Sequence, residues 1–111
     1  MAYILCMIII ETQLFTRLIT ELLPDEEYRE LQNALLAFPE AGDVIEDGVG
    51  LRKLRWGTTH GGKRGGLRII YFWQQQQKRL FMVTAYKKNR QENLTPAQLK
   101  ILAKWVKEHL K

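Results

Sequence analysis

The chain has 111 residues, 46% hydrophobic and 26% charged, with a formal net charge of +5 at pH 7. At about 100–150 residues per domain, this predicts one domain over 1–111, long enough to bury a core without a disulfide or metal staple. A single cysteine (Cys6) and two histidines (His60 and His109) exclude a disulfide framework and a zinc ligand set. No apolar run approaches the roughly 18–20 residues that span a bilayer.

In chain order, the apolar start from Met1 to Ile10 lacks a basic segment and a small-residue cleavage site, and Glu11 follows at once. This predicts a short buried strand over 7–10 rather than a signal peptide. Met7 is a candidate start in its own right, because the strand needs nothing before it. Thr12 reads as an N-cap, and Phe15, Leu18, Ile19 and Leu22 form a helical stripe behind it. Pro24 breaks this helix. Asp25, Glu26 and Glu27 suit the positive end of a second helix, with Tyr28, Leu31, Leu35 and Phe38 on one face and Pro39 as its stop.

Residues 40–50, with three glycines, read as loop. Leu51 to Trp56 reads as a strand with Leu54 and Trp56 on one side and Lys53 and Arg55 on the other. Five glycines at 57, 61, 62, 65 and 66 make a hairpin loop that carries His60, Lys63 and Arg64. Leu67 to Trp73 and Leu80 to Tyr86 read as two further strands. Tyr71 and Trp73 are candidates for the core or for base stacking. Thr95–Pro96–Ala97–Gln98 fits a capping box, and Leu99, Leu102, Ala103, Val106 and Leu110 give the last helix its stripe. The order β-α-α-β-β-β-α predicts an α+β fold with helices packed on one sheet face. The other face, bearing Lys53 and Arg55, is then expected to be open and basic.

Charge is strongly segregated. Residues 1–47 hold ten acids against two basic residues, whereas residues 48–91 hold eleven basic residues and no acid. The acids nearest that stretch are Asp47 and Glu92. A segment that cannot neutralise itself attracts a polyanion, and nucleic acid is the usual one. The basic residues fall among strands rather than on one face of an amphipathic helix, which argues against a membrane surface.

Several chemistries are absent. The chain contains no serine, which excludes a serine nucleophile. Cys6 sits in an apolar run and reads as a small hydrophobe, consistent with a reducing, cytoplasmic compartment. His109, near a helix end, is expected to be solvated. Gly57 to Arg64 approaches a phosphate-loop pattern but ends in Arg where the magnesium hydroxyl belongs, and a strand rather than a helix comes next.

M-I-I-I-E-T, D-E-E-Y-R-E-L-Q, P-E-A-G-D-V-I, G-L-R-K-L-R-W, G-K-R-G-G-L-R-I-I-Y and Y-K-K-N…L-T-P-A-Q-L, in this order, resemble the HigB branch of the RelE-like bacterial toxins over essentially residues 7–110. The resemblance implies a small, mostly antiparallel sheet with two N-terminal helices on one face and a C-terminal helix. It implies a ribosome-dependent mRNA endonuclease acting in the A site of the small subunit and neutralised by a HigA-like helix-turn-helix antitoxin. It implies attack of the ribose 2′-OH on the neighbouring phosphate with no metal or other cofactor. Arg68 matches the family's phosphate-binding arginine, and its forked, permanently charged donor suits a phosphorane. Lys53 matches a lysine beside the scissile phosphate. Like charges at Arg55 and Arg68 disfavour an ammonium, so Lys53 is a candidate base, or else a plain phosphate clamp. Tyr86 and Lys88 match the end of the last strand, where acid or phosphate-contacting groups lie. Arg55, Lys63, Arg64 and Lys87 are the expected RNA-binding set. Where RelE itself has a tyrosine in its C-terminal segment, residues 94–111 have none. Two alternatives remain on the same scaffold: a non-catalytic ribosome or RNA binder, and a ParE-like gyrase poison.

Overall fold

A computed structural model describes residues 7–57 and 66–111. The first strand, β1 (Ile8–Glu11), leads into helix α1 (Gln13–Leu22) through Thr12. The Thr12 hydroxyl accepts from the Phe15 N–H at 3.0 Å and donates to the Val83 carbonyl at 2.7 Å. One side chain thus caps the helix and fastens its start to the sheet. Helix α2 (Asp25–Ala37) comes after Pro24, with its acids in the first turn and Leu31 and Leu35 fully buried. Phe38, expected on that face, is 71% exposed. The helix ends at Ala37, and the non-helical backbone at Phe38 (φ −138°, ψ 82°) takes its ring off the stripe.

The expected loop 40–50 contains a two-residue strand, β2 (Asp43–Val44), antiparallel to β3 (Leu51–Trp56). So short a strand has no periodicity to read. It is held from the core: the buried Tyr71 hydroxyl donates to the Pro39 carbonyl at 2.7 Å and accepts from the Gly42 N–H at 2.8 Å. A Cβ on Gly42 would come within 2.8 Å of the Tyr71 ring, so the approach requires glycine. Tyr71 is therefore a core residue rather than a stacking surface. Strands β4 (Leu67–Gln74) and β5 (Arg79–Lys87) complete a sheet of order β1-β5-β4-β3-β2. Among the described residues, only the β1–β5 pair is parallel.

Both faces of the sheet are covered. Phe15, Ile19, Leu31 and Leu35 of α1 and α2 pack on Leu67, Ile69, Tyr71, Leu80, Met82 and Ala85, with Leu54 and Trp56 against them. On the other face lie Leu51, Ile70, Phe72, Phe81 and Val83, and these are covered by α3 (Pro96–His109) through Val106, Leu99, Leu102, Trp105 and Leu110. The expectation of helices on one face and an open opposite face is thereby corrected. Five large apolar side chains on the second face need cover, and the α3 stripe supplies it. Thr95 and Gln98 form the expected capping box of α3. No helix among the described residues is long and apolar enough to cross a membrane.

The β4–β5 ladder is irregular at one point. Ile70 pairs with Thr84 but Tyr71 pairs with Met82, so Val83 bulges out of the ladder. Side chains before and after a bulge exchange faces. Phe81 and Val83 point to the α3 face, and after the bulge it is Tyr86, not Ala85, that does so.

The buried phenols have two consequences for stability. Tyr71→Phe leaves the Gly42 N–H without its acceptor and should cost about 1–3 kcal/mol in urea unfolding. Burial pushes the Tyr28 and Tyr71 phenols above their ordinary range, and for Tyr28 the hydrogen bond to Glu11 adds to this. The folded state therefore disfavours phenolate. Stability from these groups is fully present below the unfolded value of about 10 and is lost as pH rises past it. Thermal melts should show a Tm falling above about pH 10, and a flat Tm there would refute the assignment.

Candidate functional site

The antiparallel ladders set three side chains in a row. Arg55 on β3 lies directly opposite Arg68 on β4, and Arg68 lies directly opposite Tyr86 on β5. Lys53 sits two residues from Arg55 on the same face. Two arginines facing each other across a ladder repel, and within residues 48–91 no carboxylate is available to separate them.

Arg68 is 4% exposed, which is unusual for a guanidinium. Its Nη1 donates to the Leu67 carbonyl at 3.3 Å, and its Nη2 lies 3.7 Å from Glu92 Oε1. Its Nε is buried with no hydrogen-bond partner. The Tyr86 hydroxyl beside it is also buried and unpartnered. Burial pushes the Tyr86 phenol up, the Arg68 charge pulls it down, and the Glu92 charge pushes it up again. The net rise favours the neutral phenol over the phenolate. The two orphaned donors, Arg68 Nε and the Tyr86 hydroxyl, lie on adjacent strands, a cradle with hydrogen bonds to offer an anion.

The segment 88–95 lies along this face. Its turn is closed by the Arg90 N–H donating to the Lys87 carbonyl at 3.0 Å. Gln91 Nε2 donates to the Asn93 carbonyl and to Gln98 Oε1, each at 3.1 Å, which braces the segment on the α3 cap. Glu92 is thus presented to Arg68, and Asn93 Oδ1 accepts from Lys53 Nζ at 2.6 Å. Neither residue was singled out as functional from the sequence. The available signal was that Glu92 is the first carboxylate after the acid-free stretch.

The structure therefore brings Lys53, Arg55, Arg68 and Tyr86 together. It does not bring Lys87 to them: Lys87 pairs with Leu67, on the face covered by α1 and α2. Lys88 lies just past the strand end with an exposed side chain, and its N–H donates to the Gly66 carbonyl at 2.9 Å. Lys63, Arg64 and His60 lie outside the described residues. His109 is exposed beside Trp105. A cavity of about 360 Å³, lined by Tyr86, Gln91, Leu94, Gln98 and Leu102 among others, opens next to the row. A larger one of about 1140 Å³ lies between the Phe38–Ala41 turn and Trp73 and shares no residue with the row.

The orphaned hydroxyl gives a direct test of the cradle. Tyr86→Phe removes a buried polar group that has no partner to lose, so unfolding free energy should stay within about 0.5 kcal/mol of wild type or rise. A loss of about 2 kcal/mol in the same measurement would mean that the hydroxyl is held by the fold.

Residues 7–111 match the family model described as the RelE toxin of the RelE/RelB toxin–antitoxin system. That span includes every element and the whole cationic row. With the α+β architecture, the three-strand row and this match in agreement, the chain belongs to the RelE toxin family.

Proposed function

We propose that this toxin is a ribosome-dependent mRNA endonuclease of the HigB branch, cleaving by attack of a ribose 2′-OH on the adjacent phosphate. The observation that carries the reading is the buried Arg68 guanidinium, with its free Nε, set between Arg55 and Tyr86. As the 2′ oxygen attacks, negative charge grows on the phosphorane, and a guanidinium held in a low-dielectric site stabilises it without reorganising. Lys53 acts as a second clamp on the phosphate, in the donor role it already plays towards Asn93. Arg55 widens the cationic surface. Tyr86, kept protonated, gives its proton to the departing 5′ oxygen. The products are a 2′,3′-cyclic phosphate and a 5′-OH, and the chemistry calls for no metal or cofactor.

Lys88, together with Lys63 and Arg64, would contact the RNA backbone around the cleavage point, where cations add affinity without sequence preference. Lys87, on the opposite face, would contact other nucleic acid of the A site. The proposed setting is cytoplasmic, with mRNA on the small subunit as substrate and a HigA-like helix-turn-helix antitoxin as the neutralising partner.

Induced expression in a bacterium should stop growth, and primer extension should find new mRNA ends within codons. Arg68→Ala should lower cleavage by at least about 10²-fold and restore growth. Arrest with intact mRNA would instead indicate a non-catalytic binder. An SOS response without mRNA cleavage would indicate a gyrase poison.

A further inference from the structure

We infer, on the endonuclease reading above, that Glu92 is the general base that takes the proton from the attacking 2′-hydroxyl. Three observations lead there. The first is an inventory of acceptors. An arginine does not deprotonate in proteins, so Arg55 and Arg68 cannot serve. Lys53 Nζ is already engaged as a donor to Asn93 Oδ1 at 2.6 Å. Tyr86 is held in its protonated form. The acid-free stretch 48–91 includes residues 58–65, so these add no carboxylate, and their one imidazole is His60. Two carboxylates among the described residues come to this face, Asp43 opposite Lys53 on β2 and Glu92, and Glu92 is the one that reaches Arg68.

The second observation is position. Glu92 Oε1 lies 3.7 Å from Arg68 Nη2. A nucleotide's 2′ oxygen and its 3′-phosphate belong to the same residue, so a group beside the phosphate-binding guanidinium is beside the nucleophile as well. The Glu92 charge also acts on the Tyr86 phenol, which puts base, phosphate ligand and acid in one electrostatic unit. The third is accessibility with restraint. The Glu92 side chain is 59% exposed, so its oxygens remain open to a hydroxyl. The residues on either side of it are meanwhile held by side-chain hydrogen bonds, Gln91 to Gln98 and Asn93 to Lys53.

The Glu92 carboxylate accepts the 2′-OH proton as the 2′ oxygen forms its bond to phosphorus. The P–O5′ bond breaks, and the 5′ oxygen takes the Tyr86 proton. Solvent then removes the proton from the Glu92 acid and returns one to the Tyr86 phenolate, so protons and charge balance over the turnover. Lys53 is left as a clamp rather than a base.

The test uses the full-length protein on ribosomes programmed with a defined mRNA, at saturating toxin and single turnover. Glu92→Gln keeps the shape and loses the base. It should slow cleavage by about 10²–10⁴-fold with ribosome affinity unchanged. Added formate should restore part of the rate to Glu92→Ala, where the vacated space admits a small carboxylate, and should leave Arg68→Ala inactive. Cleavage by Glu92→Gln at or above the wild-type rate would overturn the inference, because the carboxylate would then merely occupy Arg68. A slow Glu92→Ala that formate does not rescue, with His60→Gln equally slow and the wild-type rate rising through about pH 6.5, would give the role to His60. Failure of the underlying reading looks different: wild-type protein leaves the mRNA intact, or Arg68→Ala cleaves as fast as wild type.

Discussion

A guanidinium buried in the edge of an apolar core is the constraint around which this molecule is arranged. Arg68 is 4% exposed on a strand whose neighbours Leu67, Ile69, Ile70 and Tyr71 are at most 1% exposed. Removing such a charge from water is costly unless charge and hydrogen bonds compensate. The strand it occupies has no acid to offer, nor do β3 and β5. The compensation comes from Glu92, in the segment after β5, and it is partial: the contact is 3.7 Å and the Nε is unpaired. A site that is satisfied in its resting state has nothing left for a substrate. This one retains unused donors at Arg68 Nε and the Tyr86 hydroxyl, and the proposed cleavage of RNA gives that deficit a reason.

The same arrangement explains why the second face of the sheet is half core and half site. Towards Leu51, Phe72 and Phe81 it is apolar and is covered by α3. Towards Arg55, Arg68 and Tyr86 it is cationic, and the covering element becomes the polar segment 88–95. The Thr95–Gln98 capping box marks the change from one cover to the other, and Gln98 also anchors Gln91. Helix capping and site geometry are therefore mechanically joined: the residue that completes the cap of α3 also steadies the segment that carries Glu92.

Much of the fold was legible because its signals are local. Thr12 and the Thr95 box mark helix ends through hydrogen bonds within a few residues, Pro24 marks one by its ring and missing N–H, and the helical stripes repeat at a spacing that survives without tertiary context. The strands were legible within a residue or so at each end. Phe38 and β2 were not. The first depends on where helical dihedrals stop, and the second on a hydroxyl that arrives from Tyr71, 29 residues away from Gly42. Of the site, Lys53, Arg55, Arg68 and Tyr86 came from residue type and family resemblance. Glu92 and Asn93 did not, because they reach the cations only once β5 has returned the chain along β4.

The amino-acid order by itself determined the segregation of charge, since composition along a chain needs no folding to be read. It also determined the helix starts at Thr12 and Thr95, the alternation that sets Lys53 and Arg55 apart from Leu54 and Trp56, and the absence of any carboxylate between residues 48 and 91. Only the tertiary structure decided which face Tyr86 joins. Strict alternation from Phe81 and Val83 would place Ala85 beside Arg68, and the bulge at Val83 reverses that parity and puts Tyr86 there. A bulge is a property of two strands in register, stabilised here where the Val83 carbonyl accepts the Thr12 hydroxyl, and no single strand carries its signature. Packing likewise decided that α3 lies opposite α1 and α2, because the choice of face depends on how much apolar surface each side of the finished sheet leaves uncovered.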